Sequence, residues 1–159
     1  MLTFTRYLDR CTSQATLPLS RVLEQMNQPA ASLAYCNLGS KGGLALAECL
    51  QHNRVATSLD IRSNDFKAAA SQQIMRSLQH NLFITKLDLS DNVLGSAAVD
   101  TLADTLKTPK CPLVSFLGDA QSSLGDAKSS LGDTKISLGD AKSSLGDAKS
   151  SRWVTLRAR

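Results

Sequence analysis

Two aspartates, Asp60 and Asp88, sit 28 residues apart in matching stretches, "LDIRSN" and "LDLSDN" (88 − 60 = 28). If those stretches are neighbouring strands, the carboxylates lie about 5 Å apart, a spacing suited to paired acid–base chemistry. No histidine stands beside them, and a strand ladder is shallow and open, so the pair reads as polar surface and not as a catalytic dyad. Cys11, Cys36, Cys49 and Cys111 contain no CxxC pair, and His52 and His80 fall in separate stretches, so metal-ligand spacing is absent. No glycine-rich loop has P-loop or dinucleotide spacing. These residues predict no enzyme, no cofactor and no metal.

What has to position such residues is a repeat. Aligned at 28 residues, Ala31, Leu59 and Leu87 fall in one column, followed by Leu33, Ile61 and Leu89, then Cys36, Asn64 and Asn92, then Leu38, Phe66 and Leu94. Further on, Leu46, Ile74 and Leu102 align, as do Leu50, Leu78 and Leu106, and "QHN" recurs at 51–53 and 79–81. The first half of each unit alternates with period two, which predicts a short strand. The second half places Ile74, Leu78 and Leu82, or Ala98, Leu102 and Leu106, at i, i+4 and i+8, which predicts one apolar helix face. Neither element buries its face alone, so the units must stack, strand beside parallel strand and helix beside helix.

The asparagine column follows from that stacking. Where the chain turns out of the strand, backbone groups point inward without a ladder partner. An Asn side chain supplies a donor and an acceptor to satisfy them, and leaving them unpaired costs about 1–3 kcal/mol each. Cys36, Asn64 and Asn92 are therefore expected to form a structural ladder, with Cys36 the weakest member. His52 and His80 are expected at helix C-termini, which favour cations, and Cys49, aligned with Ser77 and Thr105, reads as a packing position.

"LDIRSNDF" and "LDLSDNVL" resemble the leucine-rich-repeat pattern LxxLxLxx(N/C)xL. The 28-residue period and Ala-rich helix resemble the ribonuclease-inhibitor-like subclass, also found in NOD-like receptors and Ran GTPase-activating proteins. The resemblance covers about residues 28–116 and departs in places: "LGSKGG" in the first unit becomes "FKAAAS" in the second, and Gly118 falls where a strand leucine belongs. It implies an α/β fold: a short leucine-rich-repeat solenoid with parallel strands on a concave face and helices on a convex one, followed by a low-complexity C-terminal tail.

The chain divides accordingly. Residues 1–27 form an N-terminal segment with a short capping helix, in which Ser20 is the cap and Val22, Leu23 and Met26 face inward. Residues 28–116 hold three units and a truncated fourth. Residues 117–151 are tandem "LGDAKSS"-type heptapeptides whose Gly and Ser content argues for disorder over a self-associating helix, and 152–159 are a basic terminus. The net charge of +4 lies largely at Arg152, Arg157 and Arg159, too localised for a nucleic-acid-binding stripe. No 18-residue apolar run or secretory leader is present, so the expectation is a cytoplasmic or nuclear protein away from membranes.

Side chains between the strand leucines point to the concave face: Ser32, Tyr35, Asp60, Arg62, Ser63, Lys86, Asp88, Ser90 and Asp91. Tyr35 and Arg62 are the expected anchors, since aromatics and Arg dominate interface energetics. The function expected is non-catalytic binding of a protein partner through this face. The alternatives are a fragment of a larger repeat receptor, or a GTPase regulator by fold analogy alone. Self-association through the uncapped repeat end or the tail is a further expectation.

Overall fold

The computed structural model describes residues 2–107, 111–120, 135–137 and 153–158. Two helices come first, α1 (Leu2–Ser13) and α2 (Ser20–Gln25). Three strand–helix units follow: β1 (Ala30–Ser32) with α3 (Gly39–His52), β2 (Ser58–Asp60) with α4 (Ala68–Leu78), and β3 (Lys86–Leu94) with α5 (Ser96–Lys107). The chain continues through β4 (Ser115–Ala120), β5 (Lys135–Ser137) and β6 (Trp153–Ala158). All pairings are parallel, in the order β1-β2-β3-β4-β6-β5.

The 28-residue period appears directly as register: Ala30, Ser58 and Lys86 pair in turn, as do Ala31, Leu59 and Leu87 (58 − 30 = 86 − 58 = 28). Between β3 and β4 the offset becomes 29 (115 − 86), and Gly118 pairs with Leu89, the leucine position noted above. The third strand outruns its sequence pattern, because β3 extends through Asn92 to Leu94.

Alternation along the strands buries Leu59, Ile61, Leu87 and Leu89, while each helix buries residues three or four apart. In α4 these are Ala70, Ile74, Met75 and Leu78, and in α5 Ala98, Leu102 and Leu106. Strand leucines and helix residues join a single aliphatic core between the two layers. Among the described residues only two aromatics are fully buried, Tyr7 and Phe66. The ring of Phe66 leaves so little room that a Cβ on Gly43 of α3 would sit 2.8–2.9 Å from it.

Three sequence expectations need correction or filling in. Ser20 is the first residue of α2 and not its cap; Leu19 holds the extended cap position, without a side-chain cap bond. Val22 and Met26 do face inward, with Leu23 packed against the core. Leu82 is 56% exposed, because α4 ends at Leu78 and a turn carries the chain away before the next helical position is reached. Residues 1–16 of the N-terminal segment contain a further helix, α1, whose Tyr7 and Cys11 bury one helical turn apart. The Tyr7 hydroxyl accepts a hydrogen bond from the Leu19 N–H at 3.0 Å, tying α1 to the start of α2. Most of the heptapeptide segment, and the disorder expected of it, lies outside the described residues.

The outer side of β1 is also occupied. Gln25 Oε1 accepts from the Ser32 N–H at 3.0 Å, and Arg21 Nε donates to the Ser32 carbonyl at 3.3 Å. Side chains of α2 thus supply the bonds another strand would make.

Candidate functional site

Asn64 and Asn92 do what their column implies. Asn92 Oδ1 accepts from the buried N–H groups of Asn64 (3.0 Å) and Phe66 (3.1 Å) in the preceding unit. Its Nδ2 donates to the carbonyls of Ile61, Leu89 and Ser90 at 3.0–3.1 Å. Asn64 repeats the pattern one unit earlier: it accepts from Cys36 (3.2 Å) and Leu38 (3.3 Å) and donates to Leu33, Ile61 and Arg62. Cys36 Sγ reaches only the carbonyl of Ala34, at 3.5 Å. A thiol is a weak donor, so the column fades at its first member.

This ladder determines how the neighbouring face is presented. The residue before each column member, Tyr35, Ser63 and Asp91, has left-handed φ values of 57°, 51° and 57°. Such backbone costs a non-glycine residue about 1 kcal/mol or more, and most for a bulky one such as Tyr35. Inter-unit bonds hold it: Tyr35 N–H donates to the Arg62 carbonyl (3.1 Å), and Ser63 N–H to that of Ser90 (3.0 Å). Each unit thus presents a side chain at the same place with the same backbone twist. Tyr35 is 71% exposed there, and Ser63 Oγ donates to Asp91 Oδ2 at 3.1 Å.

Ser32, Asp60 and Asp88 are in strand register, and Lys86 pairs with Ser58 and is exposed. The two carboxylates are not equivalent. Arg62 Nη2 lies 2.8 Å from Asp60 Oδ2, and this hydrogen-bonded charge raises the Arg62 pKa further above its ordinary value. Asp60 Oδ1 also accepts from the Arg62 N–H (3.2 Å), and Asp88 Oδ1 from the Ser90 N–H (3.0 Å). Both carboxylates therefore act as turn acceptors, and one is neutralised by a guanidinium. Ser90 differs from the others in exposure: it is 9% exposed and so offers little surface.

A second ladder at the opposite end of the units was signalled in the sequence only by the recurrence of "QHN". Asn53 and Asn81 are both buried. Asn81 Nδ2 donates to the carbonyls of Leu50 (2.7 Å) and Asn53 (3.0 Å), while its Oδ1 accepts from Phe83 and Ile84 at 2.8 and 2.9 Å. Asn53 does the same for Met26, Val55 and Ala56. Each closes the carbonyl end of one helix and shapes the loop into the next strand.

None of the four cysteines is in a disulfide. Burial pushes the Cys49 thiol up to about 12 and raises Cys11 as well. Tyr7 is likewise driven to about 12, chiefly by burial. These are protonated packing groups between α1 and α3, poor nucleophiles at neutral pH. Among the described residues no cluster of three or more His, Cys, Asp or Glu is placed to hold a metal ion, and no helix is long and apolar enough to cross a membrane.

None of the curated proteins compared with the chain matches it. A family model described as Leucine Rich repeat matches residues 32–47, from Ser32 into α3, and 80–103, from the loop before β3 into α5. Repeats of this family generally mediate protein–protein interaction. With the observed register and asparagine ladder, the two matched segments support reading the chain as a leucine-rich repeat protein.

Proposed function

We propose that residues 28–116 are a non-catalytic protein-binding module, a short solenoid of the ribonuclease-inhibitor-like subclass whose strand face receives a protein partner. The observation that carries this reading is the repeated left-handed column, Tyr35–Ser63–Asp91, fixed by bonds between units. A surface held at that backbone cost is pre-organised, so little ordering entropy opposes binding. Tyr35 supplies apolar area with a hydroxyl, and Arg62, held by Asp60, supplies directed charge; such groups anchor interfaces. Lys86, Asp88 and Asp91 give the surrounding mixed charge that sets register with a partner.

The test is affinity capture with three immobilised forms of the full chain: unaltered, Tyr35→Ala/Arg62→Ala, and Arg76→Ala on the exposed side of α4. Proteins bound by the first and third but weakened tenfold or more on the second support the reading. Capture that survives the double substitution, or is lost only with Arg76→Ala, removes it.

A further inference from the structure

The loops leading from α3 into β2 and from α4 into β3 enclose a groove of about 680 Å³, to which α1 adds Arg6. It lies at the helix C-terminal end of the units, away from the Tyr35 column. Its lining holds two cations, Arg6 and Arg54, beside His52 and His80, with no carboxylate among the lining residues. Arg6 and Arg54 form no ion pair among the described residues. Beside them stand Leu82 and Phe83, both exposed despite their size.

One ordinary account of basic groups here is that they offset the negative ends of the helices. That demand is already partly met. Asn81 Nδ2 bonds the terminal carbonyls at Leu50 and Asn53, and Asn53 Nδ2 bonds Met26. The same asparagine fixes the backbone of Phe83 and Ile84 through its oxygen, so the loop bearing Leu82 and Phe83 is pinned from both sides. The groove is therefore pre-formed, partly apolar and flanked by two guanidiniums that have no acidic partner among the described residues.

We propose that this groove docks an acidic segment of a protein partner that carries one bulky apolar side chain. The apolar group lies against Leu82 and Phe83, and flanking carboxylates meet Arg6 and Arg54 as charge-assisted, bidentate pairs. A nucleic-acid backbone would use the arginines but leave the leucine and phenylalanine wet. A membrane surface would not follow a groove whose two cations flank a small apolar floor. This site is independent of the strand-face reading, because it shares no residue with it.

The experiment uses the full chain and a fluorescein-labelled Glu/Asp-rich dodecapeptide with a single central leucine, read by fluorescence polarisation. Companion probes replace the leucine by glycine, replace the acids by lysines, or substitute a poly-dT oligonucleotide or phosphatidylserine vesicles. Saturable binding of the acidic leucine peptide is expected, at least tenfold weaker without the leucine and undetectable for the lysine peptide. Arg54→Glu and Leu82→Asp are each expected to weaken it tenfold or more, while Arg62→Glu on the strand face leaves it unchanged. Arg54 and Leu82 are exposed, so both variants should keep the wild-type melting curve. No binding of the acidic peptide, equal binding with glycine, preference for the oligonucleotide or vesicles, or sensitivity to Arg62→Glu but not Arg54→Glu would each overturn the proposal.

Discussion

Replacing Asn92 by alanine removes five hydrogen bonds, but they do not count equally. The Ile61 carbonyl keeps the bond from Asn64 Nδ2 (3.0 Å), and the Ser90 carbonyl keeps that from the Ser63 N–H (3.0 Å). The Leu89 carbonyl loses the bond from Asn92, and so do two buried donors, the N–H groups of Asn64 and Phe66, which are the costlier loss. At about 1–3 kcal/mol for each buried unsatisfied donor, the substitution should cost about 2–6 kcal/mol, a large share of the 5–15 kcal/mol typical of a whole domain. Asn64→Ala strands the N–H groups of Cys36 and Leu38 instead. These bonds are longer, at 3.2 and 3.3 Å, and only part-buried, so water can replace them and the cost should be smaller by about 1 kcal/mol or more. Asn27→Ala, at an exposed site with one local bond to Leu23, should stay within about 0.5 kcal/mol. Urea unfolding followed by far-UV circular dichroism measures all three. Asn92→Asp adds a check of sign: one oxygen still accepts, but the other faces three carbonyls unless it carries a proton. Its folded pKa must then rise above the unfolded value of about 3.9, so this variant should be most stable below that pH and lose stability as pH increases. If Asn92→Ala costs no more than Asn27→Ala, or less than Asn64→Ala, the ladder does not hold the units together as described.

Cys36→Asn should stabilise the chain by about 0.5–1.5 kcal/mol, by replacing a weak thiol donor with an amide at the turn carbonyls; equilibrium unfolding checks it, and a loss of stability would show that the site is shaped for sulfur. Gly43→Ala places a methyl within 3.0 Å of both Phe66 and Ala70, an overpacking cost of about 1–3 kcal/mol against a helix-propensity gain of about 1 kcal/mol, and Phe66→Leu in the same chain should relieve it. Tyr7 and Cys49 have folded pKa values raised to about 12 from 10.0 and 9.0, so the stability tied to their neutral forms is complete below pH 9 and lost between about 9 and 12; the denaturation midpoint should fall across that window, and less steeply in Cys49→Ala.

The register could be read from the sequence because it is a property of spacing: residues 28 apart are neighbours once strands pair in parallel, and no side-chain detail intervenes. The Asn64–Asn92 column was legible for the same reason, as was the weakness at Cys36. What remained hidden depended on where helices stop. Leu82 fits the helical spacing of Ile74 and Leu78, but α4 ends at Leu78, and Asn81, bonded to the carbonyls of Leu50 and Asn53 in the preceding unit, holds the loop in which Leu82 is exposed. The repeated asparagine of "QHN" was visible, while its role required knowing that it is buried. Ser90 shows the converse limit: alternation placed it beside Asp88, and its covering to 9% exposure shows only once the neighbouring elements are in place. In α1, Tyr7 and Cys11 follow a helical spacing too short to stand out without the surface of α3 to receive it.

The bonds from Gln25 and Arg21 to Ser32 also make the stack directional. A copy of this chain seeking to extend the sheet at β1 must first strip away two side-chain partners, losing bonds about as good as those it would offer. Templated growth of strands, whether toward fibrils or exchanged dimers, is thereby discouraged on that flank. Over evolutionary time the same plug sets a rule for lengthening: a new unit duplicated ahead of β1 would need its own copy of α2, whereas one inserted after it would inherit a ready neighbour.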